Sequence, residues 1–287
     1  MIKVFRFLAM CTFSVAFASI ASAQSYKIID FPGAAATTLN GGPNPEGVSV
    51  GGYTDAAGVI HGFVLKGGVF TPFDPPGSVL TTPNYISPQG VIVGQFTDAS
   101  GMSHGFVLNA GIYTTVDFPG AAGSGLTGLN ASGEMSGFSC VVASCATGVT
   151  HSFVVIKAGE FNGFDPPGAV SSSASTVSPS GEVVGAYTDN AGVTHGYTLL
   201  GGTYTSFDFP GSVFTFGGGG NAEGGIVGEY LDTTGVGHSF LLKNGQFTSF
   251  DPPGSAFSDA SGINPGGTIV GITFDPNGAE HGYIRTP

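Results

Sequence analysis

The run Gly90 to Gly120, GVIVGQFTDASGMSHGFVLNAGIYTTVDFPG, recurs with small changes six times along the chain, and its reading decides the fold. Its closing marker is Asp, then Phe or Pro, then Pro-Gly. The marker falls at Asp30, Asp74, Asp117, Asp165, Asp208 and Asp251, in steps of 44, 43, 48, 43 and 43 residues. A period of this size signals an array, a solenoid or a propeller. One copy holds four apolar runs, Thr81 to Ser87, Val91 to Thr97, His104 to Leu108 and Ile112 to Phe118. They are rich in Val, Ile, Thr, Phe and Tyr and are broken by Gly-bearing turns, which predicts four strands and leaves no room for a helix.

Each turn has a chemical reason. The first reads Asn or Ser, two residues, then Gly, as in Asn44-Pro-Glu-Gly47, Ser87-Pro-Gln-Gly90 and Asn130-Ala-Ser-Gly133. Asn or Ser starts a type I turn, and Gly takes the left-handed position that closes a bulged hairpin. The second is Asp-x-x-Gly, as in Asp98-Ala-Ser-Gly101, and the third is a short corner such as Lys243-Asn-Gly245. Three hairpins therefore join four antiparallel strands. Such a sheet cannot bury both faces alone and must stack on its copies. Large apolar side chains recur at three places: after the second strand's Gly (Tyr53, Phe96, Phe138, Tyr187, Tyr230, Phe274), two after His (Phe63, Phe106, Phe153, Tyr197, Phe240, Tyr283), and before the marker Asp (Ile29, Phe73, Val116, Phe164, Phe207, Phe250). These form the expected core between blades, each burial contributing roughly 1.5–3 kcal/mol.

The ends are complementary. The last copy stops at Arg285-Thr-Pro287, just after its third strand, and Ser25 to Phe31 is a fourth strand standing before the first copy's other three. A closed ring uses this arrangement, because the N-terminal strand completes the C-terminal blade and leaves no open edge. The expected fold is an all-β, six-bladed β-propeller of four-stranded antiparallel blades. Residues 24–287 form one domain, and residues 1–23 read as a secretory signal. Lys3 and Arg6 lead that signal, an apolar stretch from Phe7 to Ile20 follows, and Ala21-Ser-Ala23 is a small-residue cleavage site. Leu8-Ala-Met-Cys11 competes as a lipoprotein box, but Met before Cys fits it poorly. The expected location is outside the cell or in the periplasm, with no later span long and apolar enough for a membrane helix.

The marker alternates, Asp-Phe-Pro-Gly in copies one, three and five and Asp-Pro-Pro-Gly in the others, as a two-blade unit repeated three times would give. The third copy expands its second turn to Cys140-Val-Val-Ala-Ser-Cys145. In an exported chain these two Cys are expected to form a small loop-closing disulfide. A pair alone is too few for a closed zinc site.

Fifty Gly fall at fixed turn positions, so the chain is not a low-complexity linker. The formal net charge is -12, with seven basic residues against nineteen acidic ones. Such a surface repels nucleic acid and anionic lipid. All six His are repeat residues, and five follow a turn Asp by six positions: Asp55 with His61, Asp98 with His104, Asp189 with His195, Asp232 with His238, and Asp275 with His281. His151 stands alone in the third copy. Strand direction places the second turns and the marker loops on one face, which gathers the six His and every Asp except Asp259 there. Two readings of these groups follow. In the structural one each imidazole is hydrogen-bonded inside its blade, marker Asp caps its Pro-Gly turn, and turn Asp makes an Asx-type bond. In the functional one the face binds a sugar or Ca²⁺, although Asp-x-x-Gly lacks the dense oxygen ligands of a calcium loop. No metal centre and no other cofactor is expected.

The strands expected to line the channel are small and uncharged, and only Asp259 adds a charge there. A hydrolase or lyase needs an acid and base, or a nucleophile beside a base, converging on a pocket. The near-identical copies offer no such asymmetry.

At Gly262-Ile-Asn264, Ile269-Val-Gly271 and His281-Gly-Tyr283 the chain resembles the HAF-repeat family of bacterial extracellular proteins. Gly or Ser replaces the family's Ala after every His, and the Trp usual after the third strand is absent. The resemblance implies an exported repeat protein with no settled activity. The expected function is a non-catalytic, monomeric binding module whose partner is a glycan or an envelope protein. The alternatives are a polysaccharide lyase or hydrolase using His and Asp of the acidic face, and a purely structural repeat protein.

Overall fold

In the computed structural model, which describes residues 24–145, 149–156 and 159–287, six four-stranded antiparallel sheets stand side by side and no helix occurs among them. The segment read as a secretory signal lies outside the described residues. Blade one is typical, with strands Ala36–Gly41, Val48–Thr54, Ile60–Lys66 and Val69–Phe73 in sheet order. Its turns follow their chemistry. In the first, Asn44 Oδ1 accepts from the N–H groups of Glu46 and Val48, and Gly47 takes φ +74°. In the second, Asp55 Oδ1 accepts from Ala57 and Val59. At the short corner Gly67 and Gly68 both have positive φ, as a type I′ hairpin requires.

The ring closes as the complementary ends demand. Ser25–Ile29 pairs with Glu280–Thr286, from Ser25 opposite Thr286 to Ile29 opposite Gly282, and becomes the outer strand of the last blade. Asp30 then reaches His281 Nδ1 at 2.6 Å across the same seam.

The core lies between blades. Phe63, Phe106, Phe153, Tyr197, Phe240 and Tyr283, the rings two residues after each His, are all buried. Each sits opposite a second-strand glycine, Gly51, Gly94, Gly137, Gly185, Gly228 or Gly271. These glycines are required by close approach. A methyl group at Gly51 would overlap the Thr38 carbonyl and lie 2.9 Å from Phe63 Cζ, and the other copies repeat the carbonyl clash.

The aromatic set assigned to the position after that glycine needs correction in two blades. The residue that pairs with His is Tyr53, Phe96, Tyr187 or Tyr230 in blades one, two, four and five, but Ser139 in blade three and Thr273 in blade six. Phe138 and Phe274 are each displaced by one position, and strand alternation sends them to the opposite face. Phe138 borders the central channel, and Phe274 meets Phe257 edge-on with centroids 5.4 Å apart.

Adjacent blades are also tied by polar contacts that follow the two-blade alternation. Asn44, Asn130 and Asn221 of the odd blades each donate through Nδ2 to a turn carbonyl of the next blade, Ser87, Ser178 and Asn264. Where the marker is Asp-Phe, the Phe N–H donates to the hydroxyl of Thr37, Ser124 or Thr215. Pro in the other marker has no N–H, and in blades four and six the hydroxyl of Ser172 or Ser258 turns instead to the carboxylate of Asp165 or Asp251, at 2.6 Å.

The choice of Gly or Ser after His has a partner in the following blade. Ser152 and Ser239 each bond the hydroxyl of a buried tyrosine in the next blade, Tyr197 and Tyr283, at 3.0 Å. Where Gly follows His, the next blade carries Phe at that place. A buried phenol must find a partner, and Ser supplies it. Tyr197→Phe is therefore expected to lower stability by about 0.5–1.5 kcal/mol. In a Ser152→Gly background the same change should cost measurably less, as a double-mutant cycle by urea unfolding would read.

Candidate functional site

Two sites emerge, a repeated cluster on one face and a single cavity on the axis.

On the face, each His Nδ1 bonds the marker Asp that ends its own blade: His61 to Asp74 at 2.7 Å, His104 to Asp117 at 2.8 Å, His151 to Asp165 at 2.9 Å, His195 to Asp208 at 2.8 Å, and His238 to Asp251 at 2.9 Å, with His281 to Asp30 across the seam. In blades one, two, four and five Nε2 also faces the turn Asp, Asp55, Asp98, Asp189 or Asp232, at 3.4–3.7 Å. Strand pairing causes this. The His lies six residues beyond the turn Asp on the third strand, beside the end of the fourth, so both carboxylates converge on one ring. In the same four blades the ring stacks on Tyr53, Phe96, Tyr187 or Tyr230, with centroids 5.0–5.2 Å apart. Thus marker Asp does not cap its Pro-Gly turn. A backbone bond such as Ala34 N–H to the Phe31 carbonyl closes that turn, leaving the carboxylate for His.

His151 differs from the rest. It has no turn Asp, its side chain is 44% exposed against 16–26% for the others, and like His281 it has a small residue, Ser139, in place of an aromatic shelf. The loop that replaces the turn Asp is closed by a Cys140–Cys145 disulfide, which fits an oxidising compartment.

The electrostatics follow the hydrogen bonds. The Asp74 bond raises His61, with Asp74 and Asp55 charge adding to it; around His104 burial works against the charged ring, and Asp117 and Asp98 more than offset it. Both ring nitrogens facing carboxylates favour the imidazolium. Asp98 and Asp232 are held down at about 2, first by the hydroxyls of Ser100 and Thr234 and then by the N–H groups of Met102 and Val236. In blades one, two, four and five both ring nitrogens are turned to carboxylates, whereas His151 and His281 engage a carboxylate through Nδ1 alone.

The first strands of all six blades border a cavity of about 550 Å³ on the axis. Asp259 is the sole charged side chain on its wall. Burial pushes its carboxyl up to about 6, and its Oδ1 has no hydrogen-bond partner. One blade earlier Glu229 is pushed up to about 8 by burial, with the Asp259 charge adding to the shift. Sequence reading singled out Asp259 but missed Glu229. The available signal was its column: the residue after the second-strand glycine is Gly52, Gln95, Phe138, Ala186, Glu229 or Ile272, and Glu229 is its one acid.

No protein-family model matches the chain, and no curated protein matches it either. Solved structures do match. Virginiamycin B lyase from Staphylococcus aureus, an inactive variant with quinupristin, has a TM-score of 0.54 at 12% identity, covering 92% of this chain and 99% of that one. A TolB-like protein from Agrobacterium tumefaciens has a TM-score of 0.58 at 13% identity, covering 86% and 89%. The Aleuria aurantia lectin, described as a six-bladed β-propeller with a novel fucose recognition mode, has a TM-score of 0.54 at 11% identity, covering 86% and 90%. At these identities the likeness is one of fold.

The pKa shifts set two pH limbs. Asp98 and Asp232 lie below their ordinary 3.8, so the stability they contribute is present above about pH 4 and is lost as pH falls towards about 2. Glu229 lies above its ordinary 4.5, so its carboxyl destabilises the fold increasingly as pH rises from about 4.5 through about 8. Thermal unfolding against pH should show a shallower acid limb in Asp98→Asn and a flatter alkaline limb in Glu229→Gln.

Proposed function

We propose that the chain is an exported, non-catalytic binding propeller whose acidic face takes an extracellular glycan, contacted by several blades at once. One observation carries this reading: an equivalent His–carboxylate pair recurs in every blade on the same face. The marker carboxylates remain 34–58% exposed while bonded to His, so they keep acceptor capacity for sugar hydroxyls. Exposed Val79, Val170 and Val213 follow the marker loops, and Met102, Val193 and Val236 follow the turn glycines. They offer apolar contact to the C–H face of a ring between acceptors. The lectin among the fold neighbours recognises fucose with the same architecture, which is support by analogy only. Export and membership of the HAF-repeat proteins belong to the same reading, and the disulfide agrees with export. An enzymatic reading would need one His unlike its counterparts. The one that differs, His151, is the most exposed of the six.

The test is a glycan array probed with residues 24–287, with hits measured by calorimetry. Binding of a neutral oligosaccharide is expected, weakened on the order of 10-fold by the pair Asp74→Asn and Asp117→Asn, because fewer blades then engage one chain. Absence of any glycan bound at millimolar concentration by the folded protein overturns the proposal.

A further inference from the structure

The axial cavity is independent of the acidic face, and its chemistry selects a different ligand. Its wall carries a carboxylate with no counter-charge. Asp259 makes no hydrogen bond or ion pair among the described residues, and no Lys, Arg or His borders the cavity. Arg285, one of the few basic residues, is committed elsewhere, with its guanidinium 4.4 Å over the Phe250 ring. An anion is therefore excluded from the channel by charge.

The neutral groups narrow the choice further. Asn40 and Asn84 border the cavity, and each donates through Nδ2 to a carbonyl of the next blade, Pro83 and Leu126. A carbonyl only accepts, so the amide nitrogen is fixed on that side with one of its two N–H groups spent, and the amide oxygen is left unengaged. Thr127 likewise spends its hydroxyl hydrogen on the Ala174 carbonyl at 2.6 Å. The amide oxygens of Asn40 and Asn84 and the one charged group on this wall thus offer unengaged acceptors, beside the one N–H that each of these amides keeps.

Space lies on the side of Asp259. The position held by Asn40, Asn84 and Thr127 in blades one to three is Ser175, Gly218 and Ser261 in blades four to six. The long side chains bridge to their neighbours, and the short ones leave room. Phe216 occupies the place equivalent to Asp259 one blade earlier and also borders the cavity. A carboxylate, amide oxygens and an aromatic ring complement a cation that carries N–H donors on a carbon skeleton, since the ring attracts a cation over its face.

We propose that the central channel binds a small organic cation bearing N–H groups, an alkylammonium or guanidinium, with Asp259 as its counter-charge. The buried carboxylate is costly as long as it is unpaired, and a bound ammonium removes that cost. This is consistent with the carboxyl lying at about 6 without a partner, because at pH 7.5 it is mostly ionised and ready to pair.

Calorimetry of residues 24–287 at pH 7.5 in 0.15 M salt, an ionic strength of about one 8 Å screening length, tests it with 1,4-diaminobutane and with methylguanidinium. Saturable binding of either is expected, at least about 10-fold weaker in Asp259→Asn, with a melting temperature for that variant equal to or above the parent's. Ser175→Leu keeps the charge and fills the space, so it should weaken binding while leaving the fold intact, and it serves if Asp259→Asn does not fold. Three results overturn the proposal: no saturable binding of either cation, binding indifferent to both substitutions, or equal binding of tetramethylammonium, which has no N–H. Displacement of the amine by millimolar Ca²⁺ overturns it as well and reassigns the channel to a metal. Glycan binding at the face is read separately, so either reading can fail without the other.

Discussion

The contact on which the molecule rests is the one between a buried aromatic ring and the bare backbone opposite it. In each blade the ring two residues after His lies across a glycine of the second strand, and any larger residue there would meet the neighbouring strand's carbonyl. The ring thereby sits low enough on its sheet for the preceding blade to close over it. Each such burial contributes roughly 1.5–3 kcal/mol, and six of them turn sheets that are unstable alone into a ring. The polar ties between blades are secondary in energy but not in information. Several of them follow the alternation of two blade types, so that the turn amides of Asn44, Asn130 and Asn221 and the phenols of Tyr197 and Tyr283 meet their complements where odd and even blades are neighbours.

Most of this architecture was legible because its signals are local. Strand number came from turns whose residues have fixed backbone roles, and closure came from an orphan strand and an incomplete blade at opposite ends. What escaped reading was whatever depends on the phase of a strand. Phe138 and Phe274 look like members of the aromatic set because they stand next to its place, yet one position of displacement turns each to the other side of the sheet. Ser152 and Ser239 read as mere variation after His until the tyrosine that each serves in the following blade is in view. Asp259 was visible as an isolated charge. Glu229 was not, because its environment is built by two blades and no window along the chain contains both.

The charge distribution divides the protein into two chemical regions. On the face, acids are exposed and paired with imidazoles, so their charge is shared, and the turn carboxyls are held low by the hydrogen bonds that they accept. On the axis Asp259 has no cation beside it and is raised by burial, and Glu229, on the second strand one blade earlier, is raised by burial as well. Repetition explains the first region, since an array copies whatever stabilises one unit. The second exists only where the copies differ, and a difference in an otherwise repetitive wall is where selection for a particular molecule can act.

The seam has a bearing on how the chain becomes a ring. Ser25 and Thr286 touch through their hydroxyls across 261 residues of sequence. The edge of this first strand therefore has its partner only once the last blade is present. Five blades are each built from four consecutive strands, but the sixth is completed by the first strand and the last three together. Closure of the ring is a docking of Ser25–Ile29 on Glu280–Thr286, and with it the central channel has its full circumference.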